Sequence, residues 1–162
     1  MPPSAGVVLG LRQRGARISV RRAAQLTWFD RDGKTMEVVG QPADDTDLAL
    51  SPDGKFAAVS HRQENNRDIW LLDLTRRVPS RFTFDPAIEE YLVWSPDGSQ
   101  LVFTSVSNGR ADLFRKAANN AGSEEVLLAS SLQKRAFDWS ADGKSLLYTV
   151  LDPKTKFDLL VL

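Results

Sequence analysis

The chain has few of the residues on which many protein chemistries depend. Its 162 residues include no cysteine, one histidine and two methionines. The lack of cysteine excludes disulfides and thiolate metal sites, and a lone histidine gives no basis for a structural zinc site. The composition therefore predicts no cofactor and no metal, while it leaves the cellular compartment open.

Net charge and long apolar runs are also missing. The 21 basic and 21 acidic side chains cancel, so no overall field attracts nucleic acid or a membrane surface. No apolar run approaches the roughly 18 residues that a membrane-spanning helix requires. We therefore expect a protein or peptide partner, no nucleic acid, and no membrane span in this chain.

Motifs for catalysis are absent from the sequence. His61 is the only histidine, and the Gly-x-Ser-x-Gly elbow that a Ser-His-Asp hydrolase needs does not occur. Asp44, Asp45 and Asp47 form an acidic group that could hold a weakly bound cation, but a solvated loop explains it more simply. The sequence predicts no catalytic residue and no enzyme activity.

The most informative feature present is a tetrad that occurs three times. Its copies start 44 and 45 residues apart and are Ser51-Pro52-Asp53-Gly54, Ser95-Pro96-Asp97-Gly98 and Ser140-Ala141-Asp142-Gly143. Pro presets φ for the second position of a tight turn, Asp can accept a backbone hydrogen bond, and Gly adopts positive φ. A fixed period of this length predicts one supersecondary unit stacked on copies of itself.

Short apolar runs rich in β-branched and aromatic residues surround each tetrad, as is typical of strands. Four strands in about 44 residues make one blade of a β-propeller. We therefore predict an all-β fold, a partial β-propeller of about three four-stranded antiparallel blades. The predicted parts are an outer half-blade at 26–40, blades at 45–85 and 89–130, and an incomplete blade at 134–162. Trp94 and Trp139 share one repeat position, which favours packing between blades over ligand stacking.

Residues 1–25 match no part of the repeat. The first 29 residues contain five basic side chains and no acidic one, namely Arg12, Arg14, Arg17, Arg21 and Arg22. A poorly ordered basic segment is the simplest interpretation. A basic arm for an acidic partner is an alternative, and the segment could also cover a raw strand edge of the array.

The blocks around the tetrads resemble the TolB-like propeller repeat. The phrases RDIWLLDL, RFTFDPA and VWSPDG look more specifically like the propeller that follows the membrane span of bacterial eukaryotic-like serine/threonine kinases. That resemblance implies a sensor or scaffold region on the extracytoplasmic side, or a cytoplasmic location if the chain stands alone. Similar propellers accompany peptidase domains. The kinase motifs themselves do not occur in this sequence.

Propeller geometry predicts which loops could meet a partner. Loops between strands two and three of a blade share one face with the connections between blades, and these loops differ from copy to copy. The candidate partner-binding residues are His61, Arg62, Asn66, Arg67, Glu89, Glu90, Asn108, Arg110, Lys134 and Arg135. Three hypotheses remain open: a binding module, an accessory domain of a kinase or peptidase, and a half-propeller that closes by homo-oligomerisation.

Overall fold

The computed structural model describes residues 8–13, as backbone, and 23–162. These residues form fourteen β-strands in four blades. The first blade comprises β1 (Val8–Gln13), β2 (Ala24–Phe29) and β3 (Thr35–Ala43). The second comprises β4 (Asp45–Leu50), β5 (Phe56–Gln63), β6 (Asn66–Asp73) and β7 (Val78–Arg81). The third comprises β8 (Ile88–Trp94), β9 (Gln100–Ser107), β10 (Arg110–Ala117) and β11 (Glu125–Leu128), and the fourth β12 (Gln133–Trp139), β13 (Leu146–Asp152) and β14 (Lys156–Val161).

Each blade is an antiparallel meander in which consecutive strands pair. A parallel bridge between Arg67 and Ile88 joins the second and third blades into one eight-stranded sheet. The first strands of successive blades contact one another, β4 with β8 and β8 with β12. These strands are therefore innermost, and the blades fan outward from them. The prediction of an all-β partial propeller is confirmed, with two complete blades between two three-stranded ones.

The central strands are apolar on both faces because each blade packs against two neighbours. Ala57 and Val59 contribute to the core between the first and second blades, whereas Ala58 contributes to the next core. In the third blade, Leu101 faces the second blade and Val102 faces the fourth. Alternation along a strand thus produces the nearly continuous apolar runs seen in the sequence. Burying a valine or leucine side chain stabilises the fold by about 1.5–3 kcal/mol.

The three tetrads form the same turn in three blades. In each copy the glycine N–H donates to the carbonyl of the turn serine, at 2.8, 2.9 and 2.8 Å. Gly54, Gly98 and Gly143 have φ of +70°, +71° and +72°, which side chains rarely adopt. The serine hydroxyl donates to the aspartate two residues later in every copy. Ala141 therefore replaces proline without changing the turn.

The first blade differs from expectation at its N-terminal side. Val8–Gln13 is a strand that pairs with Ala24–Phe29 over its full length, at a place where the sequence predicted no strand. The inner edge of β2 carries backbone groups that need partners, and β1 supplies them. Arg14, Arg17, Arg21 and Arg22 lie outside the described residues. Within the described ranges, no helix is long and apolar enough to cross a membrane.

Candidate functional site

Loops from neighbouring strands meet on the face opposite the tetrad turns, which we call the loop face. It comprises the turns 63–66 and 107–110 and the connections 43–45, 82–88 and 129–133, with the strand ends beside them. Nδ1 of His61, near the end of β5, lies 2.7 Å from Oδ1 of Asp45 at the start of β4. Nε of Arg62 lies 3.7 Å from Oδ2 of Asp44. Acidic side chains thus lie next to a histidine and an arginine on this face.

The inner end of the loop face carries a connected group of side chains that we call the axial cluster, Asp47, Arg67, Glu90, Tyr91 and Arg135. Arg67 Nη1 lies 3.7 Å from Glu90 Oε2, and the guanidinium of Arg135 sits 4.8 Å from the centre of the Tyr91 ring. The backbone N–H of Tyr91 donates to Asp47 Oδ2 at 3.2 Å. All five residues are partly exposed. The cluster draws these side chains from four strands, β4, β6, β8 and β12.

Irregular backbone on the innermost strands positions the axial cluster. The ladder with the second strand shifts register between Thr46 and Leu48 and again between Glu90 and Val93. Asp47 and Tyr91 lie at these bulges with φ of 34° and 58°, in the left-handed region. A bulge re-aims a side chain out of the regular alternation, and positive φ is strained for an aromatic residue. The strain is held by the same bulge in two successive blades.

Burial and neighbouring charge modify the acids of the axial cluster. Burial raises the pKa of Glu90, and the nearby Asp47 adds to the rise while Arg67 and Arg135 oppose it. Burial also raises the pKa of Tyr91. The cluster therefore combines two acids, two cations and an aromatic ring in a partly desolvated place. Such a combination can recognise charged and aromatic groups of a peptide.

Eight of the ten predicted partner-binding residues are accessible. Arg62, Asn108 and Arg110 are exposed, and His61, Asn66, Arg67, Glu90 and Arg135 are partly exposed. Glu89 and Lys134 are buried, at 0% and 1% exposure. The prediction that these two contact a partner is wrong, because both side chains point between blades instead of into solvent.

Sequence reasoning missed Tyr91 and gave Asp47 a different role. Asp47 and Tyr91 each stand four residues before a turn serine, so the repeat itself held a positional signal. The three aspartates of the predicted acidic group have separate partners. Asp44 lies near Arg62, Asp45 contacts His61, and Asp47 accepts from the backbone N–H of Tyr91. Across the described part of the chain, no group of three or more metal-ligating side chains is placed to hold an ion.

The tetrad-turn face presents two repeated grooves. One of about 490 Å³ lies between the second and third tetrads beside Trp139, and one of about 600 Å³ lies between the first and second beside Trp94. Hydrogen bonds from Ser51 and Ser95 lower the pKa of Asp53 and Asp97 to about 2. Trp94 is buried in the core between blades and donates from Nε1 to the carbonyl of Ala49 at 3.0 Å. Trp94 therefore packs between blades, and Trp139 is partly buried against the core of the next junction.

Comparison with known proteins gives the fold a family. The family model of the TolB beta propeller domain, PD40, matches residues 21–160. TolB from Acinetobacter baumannii has a TM-score of 0.80 at 22% identity, and the match covers 97% of this chain and 39% of that one. A putative TolB from Agrobacterium tumefaciens has a TM-score of 0.77 at 18% identity, and the match covers 99% of this chain and 58% of that one.

A third similar structure belongs to an enzyme. A prolyl endopeptidase has a TM-score of 0.69 at 15% identity, and the match covers 96% of this chain and 26% of that one. This chain thus spans about two fifths of the Acinetobacter TolB structure, under three fifths of the Agrobacterium structure and about a quarter of the peptidase. At these identities the structures show a shared fold. The repeat, the four stacked blades and the match over residues 21–160 together show that the chain belongs to the TolB β-propeller domain family.

Proposed function

We propose that the chain is a non-enzymatic module that binds a protein or peptide at the loop face, with the axial cluster at the centre of the contact. The observation that carries this proposal is the convergence of Arg67, Glu90, Tyr91 and Arg135 from three strands, β6, β8 and β12, at one partly exposed place. Arg and Tyr are the residue types that contribute most energy to protein interfaces. Backbone strain at Tyr91 supports the same interpretation, since strain concentrates at functional positions.

The exposed rim of the loop face adds specificity to this proposed contact. Arg62 and Arg110 are exposed, and each lies near an aspartate, so the rim carries both signs of charge. Exposed charges of this kind steer encounter and reject wrong partners more than they add affinity. The blade scaffold repeats while these rim residues differ between blades. This is the arrangement that repeat proteins use to build a specific surface.

Site-directed photocrosslinking tests the binding face. A photoreactive amino acid replaces Arg62 or Asn108 on the loop face, and Lys55 or Lys144 beside the tetrad turns in matched control variants. In lysate of the source organism, we expect the loop-face variants to crosslink one discrete partner that the controls do not. Tyr91→Ala in the same variants should reduce that crosslink severalfold. Equal crosslinking from both faces, or no effect of Tyr91→Ala, would contradict the proposal.

We further infer a role in a signalling protein or beside a catalytic domain. The support is the likeness of the phrases RDIWLLDL and VWSPDG to kinase-linked propellers, together with the peptidase whose chain extends well beyond the matched part. The reading frame around this sequence is the direct test. Kinase or peptidase motifs in the same frame would support the role, and their absence from the complete gene product would oppose it.

A second candidate function is assembly through the fourth blade. Leu146 and Tyr148 face the third blade, so the alternate residues Leu147 and Leu151 face away from it. Phe157 pairs with Leu151 and Val161 pairs with Leu147, and paired residues share a face. The corresponding face of the third blade carries Val102 and Leu113, which are fully buried. On the fourth blade, by contrast, four apolar residues are more than half exposed, namely Phe137, Phe157, Leu159 and Val161.

We propose that a second copy of the chain covers this face. The edge of β14 has no further strand beside it among the described residues, so an added strand could extend the interface. Light scattering over a concentration series should show a dimer, and Leu159→Glu should shift it to monomer. Lys154→Glu, in the exposed turn before β14, is the control and should leave the dimer intact. A soluble monomer at all concentrations would exclude this assembly.

A further inference from the structure

A buried carboxyl group lies between the second and third blades. Glu89, the second residue of β8, has no exposed surface. Its Oε2 accepts a hydrogen bond from Thr83 Oγ1 at 3.1 Å, while its Oε1 has no hydrogen-bond partner among the described residues. The Ser60 hydroxyl donates to its backbone carbonyl from β5. An ionised carboxylate in such a place would lack most of the donors that it needs.

The acidic groups that face Glu89 come from several elements. Asp68 lies on β6, Asp85 on the connection between β7 and β8, and Glu124 just before β11, and each disfavours a negative charge on Glu89. Glu90, next on β8, points to the axial cluster and pairs with Arg67. On the paired strand β9, Ser105 lies opposite Glu89 and adds no charge. The surroundings are therefore dominated by negative groups.

The nearby cations are engaged elsewhere. Nη2 of Arg81 donates to Asp68 Oδ1 at 2.9 Å, and its Nε donates to the carbonyl of Thr83 at 2.9 Å. Lys116 Nζ donates to the carbonyl of Phe82 at 2.6 Å and sits 4.9 Å from the centre of that ring. Neither cation hydrogen-bonds to Glu89. The charge of an ionised Glu89 would thus be left without a direct counter-ion.

The next junction shows what the same repeat position holds when it is charged. Lys134 stands six residues before Ser140, as Glu89 stands six residues before Ser95. Lys134 is also buried, but its Nζ donates to Asp112 Oδ1 at 2.8 Å and to the carbonyl of Leu132 at 2.7 Å. A buried charge is tolerated there because it is paired across the junction. Glu89 has no equivalent pairing.

We propose that Glu89 carries a proton at neutral pH, and that loss of this proton in mildly alkaline solution loosens the contact between the second and third blades. Protonated, the carboxyl group is neutral and suits its buried place. Ionised, it adds a fourth negative group beside Asp68, Asp85 and Glu124. Burial, followed by these acids, raises the pKa of Glu89 to about 8, although the hydrogen bond from Thr83 opposes the rise.

The sign of the pH effect follows from proton binding. An unfolded chain releases this proton near pH 4.3, whereas the folded chain keeps it to about pH 8. Between these values the folded state binds more protons, so rising pH favours unfolding by up to about tenfold per pH unit. The contribution of protonated Glu89 is therefore complete below about pH 4 and lost as pH rises through 8.

Denaturant unfolding at pH 6, 7, 8 and 9 tests the proposal in the wild type and in Glu89→Gln, which mimics the protonated side chain. From pH 6 to 9 the unfolding constant of the wild type should rise relative to that of the variant by tenfold or more, towards about a hundredfold. Glu64→Gln, in an exposed turn, is the matched control and should follow the wild type. Parallel curves for the wild type and Glu89→Gln would overturn the proposal.

Carboxyl ¹³C NMR of the labelled wild type gives an independent reading that survives if the variant fails to fold. The Glu89 resonance should titrate with a midpoint near pH 8, well above the other glutamates. A Glu89 midpoint below about pH 5, where ordinary glutamates titrate, would overturn the proposal.

Discussion

The junction between the second and third blades and the junction between the third and fourth use the same repeat positions for different charges. Asp68 and Asp112 each stand 17 residues after a turn serine, and Glu89 and Lys134 each stand six residues before one. Asp112 is paired with Lys134 across its junction. Asp68 is paired with Arg81 of its own blade instead, and no cation bonds to Glu89. One backbone thus accommodates an ionic junction and a protonated one.

The difference teaches where the charges of a repeat array obtain their partners. Burial opposes ionisation of Asp112, but the hydrogen bonds from Lys134 and from the Ser130 N–H outweigh it and lower its pKa. At the other junction the hydrogen bond from Thr83 opposes the effect of burial on Glu89 but does not outweigh it, so the pKa of Glu89 is raised. Apolar packing differs as well, because Phe82, Trp94 and Phe103 are buried in the second-to-third junction, whereas the aromatic residues of the next, Trp139 and Tyr148, are only partly buried. The protonated junction is therefore the more strongly apolar one.

The largest effect is expected from a substitution that breaks the ion pair at the junction between the third and fourth blades. Lys134→Met keeps the length of the side chain but removes the ammonium, so Asp112 loses its cross-junction partner. Removing one member of a buried pair costs several kcal/mol, and we expect a loss of about 3 kcal/mol because Asp112 is slightly exposed. Denaturant unfolding at pH 7 measures it.

Arg110→Met is the control for this change. Arg110 is exposed and its Nη2 lies 3.4 Å from Asp112 Oδ2, so its removal should cost less than about 1 kcal/mol. Similar losses for Lys134→Met and Arg110→Met would show that the junction does not depend on the buried pair.

A smaller effect is expected from the within-blade pair of the other junction. Arg81→Met removes the cation bonded to Asp68, which is 1% exposed, and leaves the amide of Asn66 as the remaining side-chain donor. We expect a loss of about 2 kcal/mol, because the guanidinium is itself partly exposed. The comparison is sharpened by combining Arg81→Met with Lys134→Met. Because the two substitutions act at separate junctions, the losses in unfolding free energy that they cause should add to within about 0.5 kcal/mol. Strong non-additivity would argue against independent junctions.

The smallest effect is expected from a substitution in the tetrad turn of the fourth blade, away from its junction with the third. Ala141→Pro restores the proline of the other two tetrads, at a turn whose hydrogen bonds already match theirs. We expect a gain of about 0.4–1 kcal/mol, since proline restricts the unfolded chain. Ala121→Pro is the control and should destabilise, because the Ala121 N–H donates to Asn119 at 2.9 Å. A thermal unfolding series that ranks the two variants in the opposite order would refute this account.

Much of the fold could be predicted because its signals are local. Each tetrad carries its own turn chemistry and a short apolar run marks each strand beside it, so the strands β4–β7 and β8–β11 follow from local signals. β1 was not predicted, since an edge strand needs only backbone pairing and leaves little trace in residue type. The candidate site was predicted in part. The loops and most of their residues were identified, but the bulge that exposes Tyr91 was not.

By itself the sequence determined the repeat, its turns and the order of the strands, because these depend on residues within a few positions of one another. Only the tertiary structure decided which charges are buried and how each is compensated. Asp68 and Asp112 hold one repeat position, yet one is paired by its own blade and the other by the next. Similarly, Glu89 and Lys134 looked like loop residues until the neighbouring blade enclosed them. The energy of a buried charge depends on the groups packed around it, and packing across a junction brings together residues distant in sequence.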